Sequence, residues 1–163
     1  PLISLSAKLK LVSPGHERLV PVEEFFVGPG KTVLKKQELL TEIIVPIVPN
    51  RKAGFKKIGR RKAMCLPLVN CAVSLSLDKS GYTEEARIAL GALAPTPIRA
   101  VEAEKLLIGK KPSDELFELA AKAAMHEIKP TTSYRASAEY KRLLAEVVVR
   151  RTLADTFNQF QCC

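Results

Sequence analysis

A change of hydrophobic period part-way along the chain constrains its fold more than any other feature. Up to about residue 92 apolar residues tend to recur at every second position, and from about residue 98 onward they recur at every third or fourth. Period two belongs to strands with one buried face, and period 3.6 to amphipathic helices. Val69, Cys71, Val73, Leu75 and Leu77 alternate with small residues, Asp78-Lys79-Ser80-Gly81 supplies a turn, and residues 85–92 read as the returning strand of a hairpin. Shorter strands are expected over 38–45, stopped by Pro46 and Pro49, and over 54–58. Three helices follow. The first is predicted over 98–108 and stops at Gly109. Ser113 can cap the second, where Phe117, Ala120, Ala121, Ala124 and Ile128 share one face and Pro130 ends the pattern. The third starts near Ala136, with Tyr140, Leu143, Leu144, Val147, Val148 and Phe157 as its apolar stripe and Ser133 or Ser137 as its cap. Strands first and helices after predict an α+β fold: a mostly antiparallel sheet of three to four strands over 38–92, covered on one face by three helices.

Ahead of that unit, Ile3, Leu5, Ala7, Leu9 and Leu11 alternate with polar residues, Ser13-Pro14-Gly15 turns the chain, and residues 17–20 form a plausible return strand. A helical turn suits Pro21 to Phe26. Gly28-Pro29-Gly30 and the basic stretch to Lys36 read as a linker, so the expected division is 1–36, 37–155 and a flexible tail over 156–163. The first residue is Pro and the alternating pattern begins at once, which suggests a piece of a longer polypeptide.

The 163 residues, 47% hydrophobic and 26% charged, suffice for one cored domain or a small domain with an appendage. They exclude a disordered or fibrous chain and a large two-domain enzyme. No apolar run approaches the ~20 residues of a membrane span, so a soluble protein without a membrane partner is expected. Cys65, Cys71, Cys162 and Cys163 show no CxxC spacing. Free thiols and a reducing, cytoplasmic compartment fit that usage. His16 and His126 stand alone, so no metal site is expected, and Walker loops, GxGxxG fingerprints, HExxH motifs and serine-hydrolase elbows are missing. No residue is assigned a catalytic role.

Twenty-six Lys and Arg against seventeen Asp and Glu leave a net charge of +9. The charge concentrates locally: Arg51, Lys52, Lys56, Lys57, Arg60, Arg61 and Lys62 fall within twelve residues that contain no acid. A solvated loop explains the cluster, and so does a nearby anion or acidic partner. Lys56, alternating with Phe55 on a short strand, is expected to project to one defined face. Nucleic acid fits less well, because no aromatic platform or recognition helix accompanies the cations.

Three segments, in their order and spacing, resemble the C-terminal domain of the FAD-binding subunit of molybdenum hydroxylases, the group of xanthine dehydrogenase and aerobic carbon monoxide dehydrogenase. They are Phe25-Phe26-Val27-Gly28-Pro29-Gly30-Lys31-Thr32 with residues 38–46, Phe55-Lys56-Lys57 with Arg60-Arg61 and residues 86–100, and Tyr134-Arg135-Ala136-Ser137-Ala138-Glu139-Tyr140 running to Leu153. At Ser133 the family usually has an acid. The resemblance implies an oxidoreductase complex in which electrons pass from a molybdenum-cofactor subunit through an iron-sulfur subunit to FAD. It implies that residues 1–36 are the end of the FAD-binding domain, that Leu40 packs near the flavin, and that Lys56 offers it a positive contact. The family's glycine-rich flavin loops are missing from this sequence, so the fragment alone is expected to be inactive and to hold FAD weakly or not at all. A basic interaction module for nucleic acid or an acidic protein is the alternative.

Overall fold

The computed structural model describes residues 1–61 and 64–161. Chain order is β1 (Lys8–Ser13), β2 (His16–Pro21), α1 (Val22–Phe25), β3 (Phe26–Gly28), β4 (Lys31–Thr32), β5 (Leu39–Ile44), β6 (Arg51–Ile58), β7 (Val69–Leu77), β8 (Thr83–Gly91), β9 (Ile98–Arg99), α2 (Val101–Leu107), α3 (Asp114–Glu127) and α4 (Ala138–Gln161). The strands form a first sheet β2-β1-β5, a two-stranded β3-β4 hairpin and a larger sheet β6-β7-β8-β9, and every recorded pairing is antiparallel. The α+β expectation therefore holds, with α2, α3 and α4 gathered on one face of the larger sheet.

Burial explains the two patterns. Val69, Cys71, Val73 and Leu75 of β7 meet Ile88 and Leu90 of β8 beneath Phe117, Ala120, Ala121 and Ala124 of α3 and Val148, Val149 and Leu153 of α4. Ser113 caps α3 by accepting from Leu116 N–H at 3.2 Å, and Ser137 accepts from Tyr140 N–H at 3.2 Å at the start of α4. The other face of β7 is covered too, which the alternation did not reveal. Ala72 and Ala89 join a second core with Ala7, Leu9, Leu11, Val20, Val22 and Phe25, and Ser74 Oγ donates to Ser4 O at 2.6 Å. Small residues on that phase let the first sheet approach closely.

Several expectations need correction. The sheet does not run over 38–92. β5 pairs with β1, where Lys10 lies 3.2 Å from Glu42, and Asn50, at φ 59°, redirects the chain into β6. The first sheet thus reaches across the boundary expected at Lys36. Residues 2–6 form turns instead of the start of a strand, and the stretch expected as a linker contains the β3-β4 hairpin. Ile98 and Arg99 are drawn into β9 by pairing with Leu90 and Ala89, which delays α2 to Val101.

In α4 the buried face is Lys141, Ala145, Val148, Val149, Thr152, Leu153 and Thr156, while Tyr140, Leu143 and Val147 face outward. The hydroxyls of Thr152 and Thr156 donate to Val148 O and Thr152 O, each at 2.7 Å, and Lys141 Nζ donates to Thr131 O at 2.7 Å, so polar residues tolerate the interior. α4 continues to Gln161 with Thr156 fully buried, in place of the flexible tail expected over 156–163. Lys62, Cys162 and Cys163 lie outside the described residues.

Candidate functional site at the junction of the two sheets

An apolar pocket of about 310 Å³ opens where the first sheet meets the uncovered part of the larger one. Leu40 and Ile43 of β5, Phe25 and Phe26 at α1 and β3, and Asn70, Ala89 and Pro97 of the larger sheet and its connections line it. Leu40, Phe26 and Ile43 are 41%, 39% and 50% exposed, an unusual concentration of uncovered large apolar side chains. Asn70 brings an amide to this wall. It lies opposite Gly91 in the β7-β8 register, and a side chain at Gly91 would overlap the Asn70 amide, which gives the glycine a steric role. Concave, apolar and carrying few polar groups, the pocket has the make-up of a site for a small organic group.

A second concavity of about 630 Å³ lies beside Arg18, Lys35 and Glu38. Arg18 and Glu38 satisfy each other there: Arg18 Nε and Nη2 donate to the two Glu38 carboxylate oxygens at 2.8 and 2.9 Å, Arg18 Nη2 also donates to Val33 O, and the Lys35 backbone N–H donates to Glu38 at 2.8 Å. These donors, the Arg18 guanidinium first, lower the Glu38 pKa to about 2. We read this arrangement as a brace between β2 and the 33–38 segment.

Leu40 and Lys56, the two residues singled out in the sequence, are not brought into one pocket. Leu40 lines the apolar pocket. Lys56 pairs in register with Cys71, whose side chain belongs to the helix-side core, and its ammonium contacts Asp155 of α4. Phe55 and Lys57 point the opposite way, in register with Ala72 and Asn70 on the pocket side.

The other cations of the cluster divide similarly. Arg51 donates to Leu5 O at 3.2 Å and to Glu85 at 3.0 Å, and Arg61 donates to Met64 O. Lys57, Arg60 and Arg61 have no carboxylate partner among the described residues. Cys71 is fully buried, and desolvation pushes its thiol pKa up to about 12, so it is an inert apolar filler. Among the described residues no group of three or more His, Cys, Asp or Glu could hold a metal ion, and no helix is long and apolar enough to cross a membrane.

Four charged residues beside the pocket were not assigned to it from sequence. Glu23 Oε2 accepts from Arg87 Nη2 at 3.0 Å and from Arg99 Nη1 at 3.3 Å. Arg99 also donates to both oxygens of Glu104, at 3.2 and 2.5 Å, and Glu104 accepts from Ile88 N–H at 2.8 Å. Partial burial works against the Arg99 charge, but Glu104 and Glu23 outweigh it and raise its pKa above the usual guanidinium value. One signal was legible: an arginine just before a helix opposes the macrodipole and calls for a carboxylate or carbonyl partner.

Residues 53–156 match the family described as the CO dehydrogenase flavoprotein C-terminal domain, and residues 1–48 match the FAD binding domain in molybdopterin dehydrogenase. The chain belongs to the CO dehydrogenase flavoprotein C-terminal domain family. Within it, the chain is 31% identical over 157 residues to the xanthine dehydrogenase FAD-binding subunit of Escherichia coli O157:H7, covering 95% of this chain and 53% of the relative. It is 34% identical over 154 residues to the glyceraldehyde dehydrogenase medium chain of Sulfolobus acidocaldarius, covering 94% of this chain and 54% of the relative. A solved structure of carbon monoxide dehydrogenase from Hydrogenophaga pseudoflava superposes with a TM-score of 0.90 at 33% identity, over 96% of this chain and 54% of that one. The chain spans about half the length of the relatives it matches. The first sheet lies within residues 1–48, and the larger sheet, apart from the first two residues of β6, lies within residues 53–156.

Proposed function

We propose that this chain forms one wall of the flavin site in the FAD-binding subunit of a molybdenum-containing hydroxylase or dehydrogenase. The observation that carries the reading is the apolar pocket between the sheets, with Leu40 on one wall and Asn70 and Ala89 on the other. Its residues suit the face of an isoalloxazine ring. They do not suit a pyrophosphate, since no Lys or Arg side chain lines the pocket. FAD, when bound, would supply a centre that can hold two electrons. The chain's own part is to cover the ring, exclude water and present the Asn70 amide. Relatives named as FAD-binding subunits or medium chains support FAD as the cofactor of the intact subunit. The partners we propose with it are a molybdenum-cofactor subunit and an iron-sulfur subunit, and the cysteine usage of the chain supports a cytoplasmic complex.

Lys56 enters this proposal through its place in the sequence motif. Half exposed on the outer strand β6, it must leave Asp155 to approach a flavin. Lys57 already faces the pocket side. Lys56→Met in the intact subunit is expected to lower flavin affinity or move the flavin potential negative by ~30 mV, the equivalent of ~1.4 kcal/mol for a two-electron couple. Lys57→Met is expected to change neither. Equal effects would remove Lys56 from the site. The 163-residue chain alone is expected to purify colourless, and stoichiometric flavin surviving gel filtration would overturn the division of labour between wall and pyrophosphate loops.

A further inference from the structure

We propose that Glu23 is a positioning residue that sets the separation of the two pocket walls by tying α1 to the larger sheet. The inference rests on the reading of the pocket as the flavin wall. Its ground is the chain of alternating charges Glu104, Arg99, Glu23 and Arg87, in which Glu23 is the one member from the 1–48 family match and the other three come from the 53–156 match.

Each member of the contact sits beside a lining residue. Glu23 lies between Val22 and Phe25 on α1, Arg87 is two residues before Ala89 on β8, and Arg99 is two residues after Pro97 and directly opposite Ala89 in the β8-β9 register. Arg87 shares its face with Ala89, because it pairs with Ser74, the β7 residue that bonds to the N-terminal segment.

The two sides differ in stiffness. Glu104 is 3% exposed and held by Ile88 N–H, so Arg99 is fixed from within the larger sheet. α1 has only four residues, too few to persist through its own hydrogen bonds. Val22 and Phe25 anchor it by burial, which supplies attraction without direction. Glu23 supplies the direction, since a single carboxylate oxygen accepts from two guanidinium groups on neighbouring strands. Arg87 Nε is buried without a partner, and among the described residues Glu23 is the one side chain recorded as accepting from Arg87.

The test compares Glu23→Gln with Glu24→Gln, a change at the exposed neighbour on the same turn, in the intact flavin-loaded subunit. Flavin dissociation constant, flavin fluorescence and reduction potential are measured in 0.05 and 0.5 M NaCl. Glu23→Gln is expected to weaken flavin binding about fivefold at low salt, equivalent to ~1 kcal/mol, and to alter fluorescence and potential, with the difference from wild type shrinking at high salt. Glu24→Gln should match wild type in all three. Hydrogen exchange of residues 22–26 in the 163-residue chain gives a readout without flavin, and faster exchange in Glu23→Gln is expected. Wild-type dissociation constant, fluorescence and potential in Glu23→Gln, with unchanged exchange, would overturn the positioning role. A wild-type intact subunit that takes up no flavin would overturn the underlying reading of the pocket instead.

Discussion

The two faces of β7 are covered in different ways. Toward α2, α3 and α4 its side chains meet a closed core in which Phe117, Ile88, Leu90, Val148 and Leu153 are almost wholly buried. Toward the first sheet, cover is complete over Ala72 and ends at β5, where every residue is exposed and Leu39 reaches 72%. One side is finished as a folding unit, and the other presents a strand whose apolar residues are available to a ligand or another element. Stability should therefore reside on the helical side and recognition on the β5 side.

The largest expected effect tests the stable half of that contrast. Phe117→Ala should destabilise the chain by about 3–5 kcal/mol in urea unfolding, through lost burial and the cavity left behind, whereas Leu39→Ala should stay within about 0.5 kcal/mol. Comparable losses would show that β5 is part of the cooperative core. A smaller effect sharpens the contact between β6 and α4. Any side chain at Gly54 would collide with Thr156 Oγ1 and approach Thr152, so Gly54→Val should cost about 1–3 kcal/mol with no change in m-value.

The acid limb of stability concerns the brace on the recognition side. Because the Glu38 pKa is lowered from 4.5 to about 2, its contribution is present above pH 4.5 and is lost as pH falls toward 2. Glu38→Gln should remove that part of the pH dependence. A stability curve of unchanged slope between pH 4.5 and 2 would show that the Arg18 contact contributes nothing to folding.

Local patterns carried most of the helical half. Strict alternation in 69–77, the four-residue turn after it, the Ser113 cap and the apolar face from Phe117 to Ile128 each depend on neighbours in sequence, and all appear in the structure. What sequence left out is non-local. β5 reads as a strand from its own residues, but nothing within 38–45 specifies β1 as its neighbour over β6. The rotation of α4 was obscured by an apolar stripe wider than one face, while Lys141, Thr152 and Thr156 looked polar until their hydrogen bonds to carbonyls were visible. The pocket is assembled from seven separate stretches of chain, so sequence yielded Leu40 through a motif and Glu23 not at all, although Arg99 announced its need for an acceptor.

Flavin retention by the intact subunit, compared between Leu40→Ala and Leu39→Ala, tests the central claim most directly. The two leucines are adjacent on β5 and project to opposite faces. If the pocket is the flavin wall, Leu40→Ala should weaken flavin binding roughly tenfold, the loss of ~1.4 kcal/mol from partial burial of one side chain, and Leu39→Ala should leave it unchanged. Equal flavin affinity in the two variants would contradict the assignment of this pocket to the flavin.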